Sequence, residues 1–160
     1  DQALEVLASS TCPIVLMHFP GPAQTPHAQD AYHDPLTDVY DWLEARIEAV
    51  VKAGIARDRL IADPGIGFGK ASAADNLRLM NGLSLFHGLG VPILLGASRK
   101  RLIAALSDDA PTGKRLGGSI ALALKAAEQG AQIIRVHDVY ESAQAIRIWA
   151  GHRAVALGRA

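Results

Sequence analysis

The sequence predicts an α/β protein with parallel strands, and three features carry that prediction. Short, nearly continuous apolar runs recur along the chain, amphipathic helical stretches alternate with them, and polar or glycine residues follow every run. The runs lie at 14–17 (IVLM), 60–62 (LIA), 93–95 (ILL) and 133–136 (IIRV). Their length and continuity predict strands buried on both faces. Parallel neighbours need a crossover connection, and a right-handed helical crossover fits between each pair.

Taken in order, the opening residues DQALEVLASS read as the middle of a helix. With Asp1 rather than a methionine in first place, the chain is expected to start inside something larger. After the first run, residues 19–34 form the longest irregular segment, a candidate functional loop. Leu36, Val39, Leu43, Ile47 and Val50 then place one apolar stripe on a helix. Asp34 is its N-cap, Pro35 its first residue and Gly54 its left-handed stop. A second helix starts at Ser72, capped with Asp75, and runs through Leu77, Met80, Leu83 and Phe86 until Gly88 and Gly90 break it. A third follows Gly117-Gly118-Ser119 and ends at Gly130, and a fourth starts at Asp138 with Glu141 completing its cap.

Composition narrows the partners. In 160 residues, sixteen basic and sixteen acidic side chains cancel without forming a basic run, which argues against nucleic acid and for a small molecule. Cys12 is the single cysteine, so no internal disulfide can form, and no apolar stretch reaches the roughly 20 residues that span a bilayer. A cytoplasmic protein without a membrane partner is expected.

The polar residues that end each run define one expected site, because ligands bind at the carboxyl edge of parallel strands. Asp63 opens DPGIGFGK, whose Gly65, Gly67 and Gly69 permit a sharp turn and close approach of a flat ligand. A heterocycle with adjacent amine and ring NH groups would give a buried carboxylate two parallel donors; an ordinary capped turn is the alternative. Gly96-Ala97-Ser98-Arg99-Lys100 places two cations at the third strand end, where an anion or carbonyl could be met or a helix could simply start. Arg135 and His137 flank Val136, so on a strand they share a face and form an anion clamp. Residues 113–119 offer either helix N-terminal amides to a phosphate or a close helix contact. His18, His27 and His33 fit no zinc spacing. Cys12 has no base or cation beside it in sequence, and Trp42 and Trp149 are read as helix packing.

Taken together, LMH (16–18), DPGIGFGK (63–70), GASRK (96–100), RLGGS (115–119) and IIRVHD (133–138) strongly resemble the dihydropteroate synthases in order and spacing. The likeness covers residues 1–160 as the carboxyl-terminal portion of a pterin-binding domain. It implies the second half of a (β/α)8 barrel, with four βα units where eight are expected, and the amino-terminal half absent. It also implies a transferase of folate biosynthesis that joins 6-hydroxymethyl-7,8-dihydropterin pyrophosphate to 4-aminobenzoate, releasing pyrophosphate.

By motif, Asp63 matches the carboxylate on the pterin's amino-pyrimidine edge and Lys100 the lysine at its carbonyl side. Met17 and Phe68 match pocket walls. Arg135 and His137 match the pair on the leaving phosphates, with Arg135 also against the ring. Gly96, Ser98 and Arg99 match positions lining the two substrate pockets, and Lys100, Arg135 and His137 are the catalytic candidates. Magnesium is implied through pyrophosphate and a loop of the other half, with no ligand in this chain, and a homodimer through the last helices. Arg101 departs from the serine common at its position. Alternatives are a methyltransferase passing a methyl group from a folate to a corrinoid protein, and an inactive pterin-binding fragment.

Overall fold

The structure, a computed structural model, describes residues 2–20, 32–70 and 72–158; His27 and most of the candidate loop lie outside them. Helix α1 (Gln2–Ala8) leads into strand β1 (Ile14–Met17), helix α2 (Pro35–Lys52) and strand β2 (Leu60–Asp63). Helix α3 (Ala73–Asn81), strand β3 (Leu94–Leu95) and the single-turn helix α4 (Arg101–Ala105) follow. Helix α5 (Leu116–Glu128), strand β4 (Ile133–Ile134) and helix α6 (Val139–Ala156) complete the described chain. The α/β class with parallel strands is as the sequence predicts. Strand β1 pairs with β2, setting Ile14 opposite Leu60 and Met17 opposite Asp63, and β3 pairs with β4, setting Leu94 opposite Ile133. A parallel bridge from Ala62 to Ile93, with the Ala62 N–H on the Pro92 carbonyl at 2.8 Å, joins the two pairs.

Helix α2 forms where its sequence pattern demands. The Asp34 carboxylate accepts the Leu36 N–H, Pro35 opens the first turn, and Gly54 takes φ +92° just past the end. All five stripe residues are buried, joining Leu60, Ala62, Ile93 and Leu95 in one core. Ser72 and Asp75 make the reciprocal cap of α3, as their spacing predicts.

Four expectations are corrected. The α3 helix ends at Asn81, and a tighter 310 stretch (Leu83–Leu89) continues the same buried face to the left-handed Gly90. Gly82 lies at that junction because a Cβ there would come within 2.4 Å of Leu36 Cδ2. The last two strands are shorter than their apolar runs. The ladder reaches Arg135, whose N–H donates to Leu95, but beyond it the Ser98 hydroxyl accepts the His137 N–H in place of a carbonyl. Asp138 precedes α6 without capping it, because its carboxylate is taken by Arg99. Finally, only one face of the sheet is buried: Val15 is 47% and Ile133 37% exposed.

Truncating the centre of the α2 stripe tests whether this one-sided core holds the fold. Leu43 has no exposed surface. Leu43→Ala is expected to lower unfolding free energy by about 2–5 kcal/mol, read from the urea midpoint followed by circular dichroism.

Candidate functional site

Alternation along the strands puts Met17 and Asp63 side by side at the carboxyl end of the open face. Asp63 is only 8% exposed, and its Oδ1 accepts the Gly65 N–H at 2.8 Å. Burial pushes its carboxyl above the usual range; the Gly65 bond and then Lys100, Lys70 and Arg135 pull it back. Cationic residues from three chain segments are therefore near enough to favour its ionised form. An enclosed carboxylate of this kind is matched by ligand donors, while the surrounding cations suit an anion beside them.

The turn after Asp63 depends on glycine for contacts within the protein. Gly65 takes φ +68°, and a Cβ there would lie 2.1 Å from the His18 carbonyl oxygen. At Gly69, φ +64°, a Cβ would lie 2.0 Å from Pro20 Cγ. These two glycines thus let the loop press onto the chain leaving β1. The loop then raises Phe68, 40% exposed, with Phe19 edge-on to it at 6.3 Å between centroids.

Lys100 precedes α4 and carries its ammonium 3.5 Å above the centre of the Phe68 ring. Burial lowers its pKa and Asp63 opposes that shift. Gly96 lies against Arg135: a Cβ built on it would be 3.8 Å from Arg135 Cβ. Asp63, Met17, Phe68, Lys100, Gly96 and Arg135 thus gather at one end of the sheet. His137 joins them through Ser98, whose hydroxyl meets both its N–H and its Nδ1, the latter at 3.0 Å.

Arg99 behaves differently from its neighbours. Its guanidinium forms a two-pronged pair with Asp138, holding that carboxyl below the usual range. Its backbone takes φ +57°, where a side chain is disfavoured, and is held by the Ser119 hydroxyl on its N–H and Arg115 on its carbonyl. Arg99 therefore locks the loop after β3 to the start of α6. Of the two uses open to residues 113–119, Gly118 serves close helix packing, since a Cβ there would meet Ile103 Cγ2 at 2.3 Å.

Sequence reasoning gave no bracing role to two pairs of residues, Lys70 with His18 and Ser119 with Asp138. Each pair meets a partner more than a dozen residues away, so local pattern gives no sign of it. Lys70, 5% exposed, donates to His18 Nδ1, Pro64 and Gly65. His18 packs edge-on against Trp42 at 5.0 Å, which gives that tryptophan a packing role. Among the described residues no group of three or more His, Cys, Asp or Glu could hold a metal ion, and Asp63 is already faced by three cations. The described residues do not fit a resident magnesium.

Residues 1–137 match the family model described as pterin binding enzyme. The chain is 42% identical over 146 residues to dihydropteroate synthase of Escherichia coli K12, covering 91% of this chain and 51% of that protein. It is 39% identical over 147 residues to the Haemophilus influenzae dihydropteroate synthase, covering 92% and 53%. It spans about half the length of these curated relatives. Among solved structures, Xanthomonas albilineans dihydropteroate synthase with 4-aminobenzoic acid superposes with a TM-score of 0.87 at 43% identity, over 95% of this chain and 53% of that one. The same enzyme in complex with 7,8-dihydropteroate gives 0.85 at 42%, over 95% and 55%. The Stenotrophomonas maltophilia enzyme gives 0.90 at 38%, over 96% and 57%. The chain belongs to the pterin-binding enzyme family.

Proposed function

We propose that this chain supplies the pterin- and pyrophosphate-binding βα units of a dihydropteroate synthase, four of the eight in a (β/α)8 barrel. The reaction joins 6-hydroxymethyl-7,8-dihydropterin pyrophosphate to 4-aminobenzoate. The observation that carries this reading is one sheet end that holds the buried Asp63 carboxylate, Lys100 stacked on Phe68 of the loop that follows it, and Arg135 against Gly96. In it, Asp63 accepts from the amino and ring NH groups of the pterin, and Lys100 meets the carbonyl side. Met17, Phe68 and Gly96 bound the pocket. The aminobenzoate nitrogen attacks the pterin methylene carbon, the carbon–oxygen bond breaks and the amine loses a proton. Arg135 and His137 stabilise the charge gathering on the departing pyrophosphate. Ser98 and Arg99 act through His137 and Asp138. Fixed cations favour pyrophosphate departure over methyl transfer to a corrinoid protein, which releases no such anion.

Magnesium, in this reading, arrives on the substrate's pyrophosphate and takes its protein ligands elsewhere. An exposed, unpaired Cys12 suits a reducing cytoplasm, and no helix of the described residues is long and apolar enough to cross a membrane. We place a homodimer contact on α5 and α6, where Ile120, Leu124, Ala145, Ile148 and Trp149 line an apolar groove of about 650 Å³. Ile148 is 71% exposed there.

Two measurements test these assignments. Calorimetric titration with 6-hydroxymethylpterin should show binding that Asp63→Asn weakens by roughly tenfold to a hundredfold, the loss of about 1.5–3 kcal/mol expected when a charged hydrogen-bond partner is removed. No binding by the unaltered chain would overturn the pterin reading. In sedimentation velocity, Ile148→Arg should convert a dimer to a monomer; a monomer before substitution removes the dimer assignment.

A further inference from the structure

Lys70 is the most enclosed cation of the described residues, and the reaction proposed above gives it no task. Its ammonium has three protons and three acceptors: His18 Nδ1 at 2.9 Å, the Pro64 carbonyl at 2.8 Å and the Gly65 carbonyl at 2.9 Å. One acceptor lies just past β1, and the other two belong to the turn that carries Asp63. The lysine's own backbone is fixed in turn, because Asn76 Nδ2 donates to the Lys70 carbonyl and Asn76 Oδ1 accepts the Gly67 N–H at 2.6 Å. A buried ammonium is retained only where its protons are all matched, and here every match lies on the Asp63 turn or the strand end beside it.

We propose that Lys70 is a positioning residue for pterin binding: its ammonium ties the Asp63 turn to the end of β1 and stands as the inward counter-cation of Asp63. This rests on the pterin reading of the site. It differs from the roles proposed for Lys100 and Arg135, which meet the substrates, since the Lys70 ammonium is 5% exposed and its hydrogen bonds go to groups of the protein. The charged groups facing Asp63 are Lys70, Lys100 and Arg135; those facing Lys70 are Asp63 and Lys100, with His18 in direct contact. Burial draws Lys70 down to about 7 and His18 down to about 4. Between about pH 4 and about pH 7 the lysine is therefore charged while the neutral imidazole accepts its hydrogen bond. Asp63, raised by burial, must lose its own proton to receive a pterin's donors, so pterin affinity falls on the acid side as Asp63 protonates.

The test is the pH dependence of 6-hydroxymethylpterin binding by calorimetry, for the unaltered protein, Lys70→Met and the core variant Leu79→Ala. Removing one inward cation raises the Asp63 pKa further, so K70M should move the acid midpoint of binding up by about one pH unit and weaken affinity roughly tenfold at its optimum. L79A loses core packing at a fully buried site and should leave the midpoint in place. A folded K70M with an unchanged midpoint and affinity within twofold overturns the proposal, as does an equal midpoint shift in L79A. Should K70M not fold, His18→Leu and His18→Asn decide. The asparagine keeps an acceptor near Nδ1, so H18N should weaken binding at least threefold less than H18L, and equal affinities overturn the proposal. Absence of binding by the unaltered protein at every pH would sink the pterin reading itself and this inference with it.

Discussion

A carboxylate taken out of water at the end of β2 sets the terms for the rest of the site. Asp63 is buried to 8% exposure beside an apolar core, and burial alone drives it toward its neutral form. Holding it ready to ionise takes nearby positive charge, and no single loop supplies enough. The cations come from the loop after β2, the start of α4 and the end of β4. Only an arrangement that brings consecutive strand ends to one edge can collect them, so the parallel register of the sheet is an electrostatic requirement as well as a packing solution.

The sequence made the skeleton of this arrangement readable and left its bracing out of view. Helix α2 is announced by five apolar residues at helical spacing with a cap at each end, signals that all lie within one turn of the residues they specify. Helix α4 has five residues, too few for any period to appear. The pocket-facing residues fall in compact motifs at strand ends, where topology alone predicts convergence. Their supports do not: Lys70 meets His18 across 52 positions and Arg99 meets Asp138 across 39. An Asp three residues before a helical Glu reads as an N-cap by pattern, and only the fold reveals that a guanidinium has claimed it. Reading the glycines of DPGIGFGK as room for a ligand was likewise incomplete, because at Gly65 and Gly69 the close neighbours are His18 and Pro20.

The sheet's open face follows from the same geometry. Residues that alternate with the buried set, Val15 and Ile133 among them, are exposed. Met17 and Asp63 lie on that face, so the apolar surface and the candidate pocket are continuous. Covering an apolar sheet face strengthens every charge interaction at its rim by excluding water. Whatever packs there in the proposed barrel would therefore tune Asp63 and Lys100 without touching them.

Arg99 shows how much of the site is held by groups that meet no ligand. A left-handed backbone at a residue with a long side chain is disfavoured by about 1 kcal/mol or more, and it persists only because Ser119, Arg115 and Asp138 each bind a different part of the residue. That turn sends Lys100 toward Phe68 and Asp63 while Ser98 is left facing His137. A glycine would take the same φ without strain, yet it would release Asp138 and with it the link between the loop after β3 and α6. The positively charged side chain and the strained backbone are thus one device. Its guanidinium supplies the link, and its φ directs the neighbours on either side to opposite parts of the pocket.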